Sequence, residues 1–97
     1  MLKNIIKANE NLKKYILRTP TKYSNALSEL VNRNIYVKYE NFQHTGSFKY
    51  RGALNKILSL SSKERKQGVI AMSAGNHAQG VSLACKLLKI KAVIVMP

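Results

Sequence analysis

Two short apolar runs, Val69-Ile70-Ala71-Met72 and Ala92-Val93-Ile94-Val95-Met96, flank one amphipathic helical pattern, and this arrangement restricts the fold more than anything else in the chain. Neither run alternates with polar residues, so each reads as a strand buried on both faces, the kind that parallel sheets contain. Between them Val81, Ala84, Cys85 and Leu88 share one helical stripe from about Asn76 onward. Strand, helix and strand in that order predict a right-handed βαβ crossover. Upstream, Ile35-Tyr36-Val37-Lys38-Tyr39-Glu40 is rich in β-branched and aromatic residues and predicts a third strand. A helix from Ser47 would then place Leu54, Ile57 and Leu58 at i, i+3, i+4. The expected fold class is α/β, with an incomplete three-stranded parallel sheet and flanking helices.

The remaining punctuation is local. Leu2, Ile5, Ile6, Leu12 and Ile16 approximate a helical stripe that Thr19-Pro20 would end. Ser24 or Asn25 can cap a short helix with Leu27, Leu30 and Val31 on one face. Ser61-x-x-Glu64 is a capping-box pattern, and Gly68 suits the stop of the helix it begins. The last apolar run has nothing after it to cover its second face, so residues 1–97 are expected to be the N-terminal portion of a larger catalytic domain, with no complete second domain.

Seventeen Lys and Arg against four acidic residues give a net charge of +13. In a free-standing domain that balance would suggest nucleic acid or an anionic surface. The basic residues are spread along the chain without a block of five, and 13 of them are lysine rather than the arginine that phosphate and base recognition recruits. No nucleic-acid or membrane partner is therefore expected. The single cysteine, Cys85, lies in the apolar stripe of a helix and cannot form an internal disulfide, which suits a reduced, cytoplasmic protein. No segment approaches the roughly 20 apolar residues of a membrane span, and no export signal opens the chain.

Two segments carry chemistry. In Thr45-Gly46-Ser47-Phe48-Lys49-Tyr50-Arg51-Gly52-Ala53 a lysine enters the first turn of a helix directly after a glycine. The positive end of a helix disfavours a cation, so Lys49 there reads either as an ordinary exposed lysine against preference or as an amine kept reactive toward a carbonyl. Ser73-Ala74-Gly75-Asn76-His77-Ala78-Gln79-Gly80 joins the end of a strand to the start of a helix, where α/β proteins hold ligands and free N–H groups favour an anion. Gly75 would allow close backbone approach, and Asn76 offers both a donor and an acceptor. The plainer alternatives are that Ser73 or Asn76 merely caps the helix and that His77 is a packing residue.

Taken together these segments resemble the threonine dehydratase (threonine ammonia-lyase) family of fold type II pyridoxal-phosphate enzymes, related to tryptophan synthase β. The likeness runs through Arg18-Thr19-Pro20, Lys38-Tyr39-Glu40-Asn41-x-Gln43-x-Thr45-Gly46-Ser47-Phe48-Lys49-x-Arg51-Gly52-Ala53, Gly68-Val69-Ile70, Ser73 to Val81 and Val93 to Pro97, and is nearest to the short catabolic type. It implies pyridoxal 5'-phosphate as cofactor, held as a Schiff base by Lys49, which would also take the Cα proton. It implies Phe48 beside the cofactor ring, Asn76 on its 3′-oxygen, and Ser73, Ala74, Gly75, Asn76 and His77 around the carboxylate of a small amino acid substrate. The reaction implied is β-elimination from L-threonine to 2-oxobutanoate and ammonia, or from L-serine to pyruvate. Racemases of similar pattern place a second serine where this chain has Ala74, so elimination is favoured. The full-length enzyme is expected to be a homo-oligomer. The glycine-rich phosphate loop of the family lies beyond these residues, so the chain alone is expected to be inactive or nearly so. The alternative is a non-catalytic remnant or interaction module that pairs with a full-length subunit.

Overall fold

Strands β3 (Val69–Met72) and β4 (Ala92–Val95) pair in parallel, Val69 opposite Ala92 through Met72 opposite Val95, with helix α5 (Asn76–Leu87) as their crossover. The computed structural model describes residues 1–97. Gly68 turns the chain into β3 at φ 90°, and a Cβ there would meet the Lys91 carbonyl oxygen at 2.8 Å, so both its conformation and its neighbour require glycine. Ahead of it come α1 (Leu2–Leu12), β1 (Thr21–Tyr23), α2 (Asn25–Val31), β2 (Tyr36–Lys38), two 3-10 turns at Glu40–Phe42 and His44–Gly46, α3 (Lys49–Leu58) and α4 (Ser62–Gln67).

The core lies between α3 and α5. Tyr50, Ala53, Leu54 and Ile57 from α3 meet Val81, Ala84 and Cys85 from α5, with Leu12 of α1 closing the cluster. Val69, Ala71, Ala92 and Ile94 pack against it from the sheet. Burial pushes the Cys85 thiol up, as suits an inert packing residue.

Four expectations are corrected here. The third strand exists but does not join the parallel sheet: β2 pairs antiparallel with β1, Tyr23 opposite Tyr36 with their rings edge to face at 5.4 Å. The sheets are two-stranded and separate. Nor are β3 and β4 buried on both faces. Their inner residues face the helices, while Ile70 and Met72 are 78% and 79% exposed and Val93 and Val95 nearly half exposed, because nothing in these residues covers the outer face.

Helix α1 stops at Leu12, and Tyr15 and Ile16 reach the core from a following turn. Beyond that turn the Gln43 amide takes up the Leu17 backbone: its Oε1 accepts from the Leu17 N–H at 3.0 Å and its Nε2 donates to the Leu17 carbonyl at 2.9 Å. A backbone satisfied by a distant side chain has no need to continue the helix. In α2 the expected apolar face is uncovered, with Leu30 80% exposed; the buried residue is Ser28, whose Oγ accepts from the Ile35 N–H.

The Ser24 cap of α2 and the full Ser61/Glu64 capping box of α4 form as the sequence predicts. No helix is long and apolar enough to cross a membrane. The radius of gyration is 16.0 Å, against roughly 12.5 Å for a compact chain of this length.

Candidate functional site

Lys49 is the first residue of α3, and the turn before it is held against conformational preference. Thr45 sits at φ 65°, ψ 11°, the left-handed region that a β-branched side chain avoids, and Gly46 follows at φ 66°. The Thr45 Oγ1 is buried without a hydrogen-bond partner. Such a turn persists only when its surroundings over-determine it. Here Gly46 N–H donates to the Gln43 carbonyl at 2.8 Å, the Gln43 side chain accepts from the His44 N–H, and the His44 ring stands edge to face with Tyr50 at 5.7 Å.

The side-chain cap of the helix is weak. Phe48 precedes it in helical conformation, and the only help to the Lys49 N–H is a long 3.4 Å contact to Ser47 Oγ. Order in the first turn comes instead from its two flanks. On one, Arg51 forks onto Glu40: Nε to Oε2 and Nη2 to Oε1, both 2.7 Å. Thr19 Oγ1 also donates to Glu40, and Lys38 Nζ lies 3.9 Å away while donating to the Thr19 carbonyl at 3.0 Å. The Arg51 hydrogen bonds, with Thr19 and the charges of Arg51 and Lys38, hold the Glu40 carboxyl at about 2 despite the opposing effect of burial.

On the other flank α5 lies directly on the backbone of α3. A Cβ on Gly80 would stand 3.0 Å from the Tyr50 nitrogen and 3.1 Å from the Lys49 carbonyl carbon. Asn76 precedes Gly80 by four residues, so the two share a face of α5 and lie about 6 Å apart along its axis. The amine-bearing turn and the Asn76 turn, far apart in sequence, are thereby neighbours.

The loop leading into α5 is open. Ser73 N–H donates to the Val95 carbonyl at 3.0 Å, and Gly75 N–H to Ser73 Oγ at 3.2 Å. Gly75 is the N-cap of this 12-residue helix and no side chain caps it, so neither Ser73 nor Asn76 plays the capping role. The first-turn N–H groups are left without intrahelical partners. Ala74, Gly75, Asn76 and His77 are exposed, and nothing stands within 4 Å of the Gly75 Cβ direction. Lys49 is exposed as well, its Nζ 5.3 Å from the centroid of the Phe48 ring, which is 61% exposed.

His77 faces elsewhere. It lines a cavity of ≈ 420 Å³ with Gly52, Ala53, Lys56 and Ile57, whereas exposed Lys49 and Asn76 and half-buried Ser73 do not line it. Sequence reasoning gave no role to Glu40, Arg51, Gln43 or Gly80. A signal was present for the ion pair: in a chain with four acidic residues, one of them sits beside the lysine motif that also holds an arginine.

A family profile described as pyridoxal-phosphate dependent enzyme matches residues 12–97. The chain is 56% identical over 96 residues to an L-threonine ammonia-lyase of Thermotoga maritima, covering 99% of this chain and 24% of that protein. It is 51% identical over 94 residues to a catabolic L-threonine dehydratase of Escherichia coli, covering 97% of this chain and 29% of the relative. Among solved structures, a serine racemase from Dictyostelium discoideum superposes with a TM-score of 0.90 at 43% identity, covering all of this chain and 32% of the other.

Proposed function

The chain belongs to the pyridoxal-phosphate dependent enzymes, and from that premise we propose that it is the lysine-bearing N-terminal portion of the catalytic domain of a threonine ammonia-lyase. The reaction is β-elimination from L-threonine to 2-oxobutanoate and ammonia, with L-serine as a second substrate giving pyruvate, in a cytoplasmic enzyme of amino-acid metabolism that is a homo-oligomer at full length. The observation that carries this is the Gly80 contact, which sets the Asn76 turn beside Lys49. The open 16.0 Å radius of gyration and the bare outer face of β3 and β4 support a portion of a larger domain.

The residues present fit the cofactor. Lys49 offers an exposed amine, Phe48 an exposed aromatic face beside it, and the uncapped α5 terminus a set of free N–H donors. When bound, pyridoxal phosphate supplies an electron sink for charge developing at Cα. Lys49 would hold the group through its amine and would be the base placed to take the Cα proton. Phe48 would pack against the ring, and Asn76 would orient it through a hydrogen bond to the 3′-oxygen. The N–H groups from Ser73 to His77 bind the substrate carboxylate, favoured by the helix terminus behind them. Ala74 offers no hydroxyl to protonate the opposite face, which supports elimination over the racemisation named for the Dictyostelium relative.

The test is reductive trapping. Borohydride added after pyridoxal phosphate is expected to leave a pyridoxyl group mapped by mass spectrometry to Lys49, and Lys49→Ala to abolish that peptide signal. Trapping spread evenly over the 13 lysines would remove the proposal. Without the phosphate loop the 97-residue chain is expected to release little 2-oxobutanoate from threonine.

A further inference from the structure

Three consecutive residues open α3, and at 100° per residue they point in three directions. Tyr50 is 2% exposed and packs in the core between α3 and α5; Arg51 turns to Glu40; Lys49 is left facing outward. Fixing two of these directions fixes the third. Tyr50 alone does not suffice, because a first turn capped only by one long hydrogen bond can still unwind about a single buried ring.

The partner that completes the constraint is unusually well defined. A two-pronged guanidinium–carboxylate pair sets orientation as well as distance, which a point charge does not. Both bonds are 2.7 Å, the Glu40 side chain is only 14% exposed, and a third donation from Thr19 holds the acceptor still. Arg51 Nη2 also reaches the Leu17 carbonyl at 3.4 Å, so the segment from Leu17 to Thr19, the Glu40 turn and the first turn of α3 form one tied unit.

We propose that Arg51, through its forked pair with Glu40, is the positioning residue that sets the direction of the Lys49 amine, reinforcing the long cap that Ser47 gives α3. This rests on Lys49 being the amine that captures pyridoxal phosphate, and it adds a residue that does not touch the cofactor.

Arg51→Lys keeps the charge and removes the fork; Glu40→Gln keeps the shape and one acceptor. Each is treated with pyridoxal phosphate and borohydride, and the initial labelling rate of Lys49 is divided by that of Lys56, two turns along the same helix. General loosening of α3 moves both lysines, so the ratio isolates the first turn. Arg51→Lys is expected to lower the ratio about tenfold and Glu40→Gln several-fold, with helical circular dichroism unchanged. A ratio within twofold of wild type in the variant that retains its dichroism overturns the proposal. Should wild type show no preference for Lys49 over Lys56, the assignment of the cofactor lysine fails first and the positioning role falls with it. Loss of dichroism in both variants also overturns it, since the pair would then be a requirement of the whole fold.

Discussion

The two turns that meet at Gly80 are built on opposite plans. The one before Lys49 is crowded: a threonine in left-handed conformation, a buried hydroxyl without a partner, a glutamine gripping distant backbone and an ion pair with four participants. The one before Asn76 is nearly bare, with an exposed alanine and glycine, one local hydrogen bond and an uncapped helix. A nucleophile gains from having its direction decided before the substrate arrives. A surface of N–H donors gains from being left unpaired, since any internal partner would compete with the ligand. Strain and order are concentrated where the amine is, and free N–H groups at the turn proposed to take the anion.

That contrast can be broken by experiment, most severely where the turns touch. Gly80→Val puts atoms where 3.0 Å already separates a Cβ from the Tyr50 nitrogen, and overpacking of this kind costs about 3 kcal/mol, read from urea unfolding. A cost below about 1 kcal/mol would mean the helices part easily and the two turns are independent.

Next in size is Glu40. Its folded pKa of about 2 lies below the ordinary 4.5, so its contribution is complete above pH 4.5 and is lost as pH falls toward 2. With screening by nearby solvent the contribution is about 2 kcal/mol at neutral pH. Urea midpoints measured from pH 6 down to pH 2.5 should fall in wild type and flatten in Glu40→Gln. Equal slopes in the two proteins would show that the pair adds no order to the crowded turn.

The smallest effects sharpen the comparison from both sides. Thr45→Gly removes the left-handed strain and the orphan hydroxyl at some entropic cost and should stabilise by about 1 kcal/mol. Gly75→Ala, into open space at φ −130°, should change stability by less than about 0.5 kcal/mol. If the thermal midpoints move in the reverse order, it is the bare turn that is over-determined.

Much of this was legible in the residues where local chemistry decides. Ser61 and Glu64 cap α4 because each satisfies the other's backbone, and no tertiary partner is needed. The β3, α5, β4 unit was legible because its apolar pattern changes period at the right places. Thr21-Lys22-Tyr23 gave no strand signal: three exposed residues become a strand only because β2 offers them a ladder. In turn β1 made β2, the expected third parallel strand, one half of an antiparallel pair. Leu27, Leu30, Ile70 and Met72 were rightly apolar, but pattern cannot say whether the cover for a face lies within these 97 residues. At the site, Lys49 and the Asn76 turn were visible as motifs, whereas their adjacency depends on a missing side chain at Gly80 that only the packed helices reveal.

Gly80 leaves no cushion of side-chain atoms between α5 and the peptide that carries Lys49. Contacts through long side chains are compliant, since rotamers shift to absorb displacement; main chain resting on main chain has no such slack. A displacement of α5 at this point would therefore pass to the peptide that carries Lys49 with little damping, and the two helices would move there as one piece.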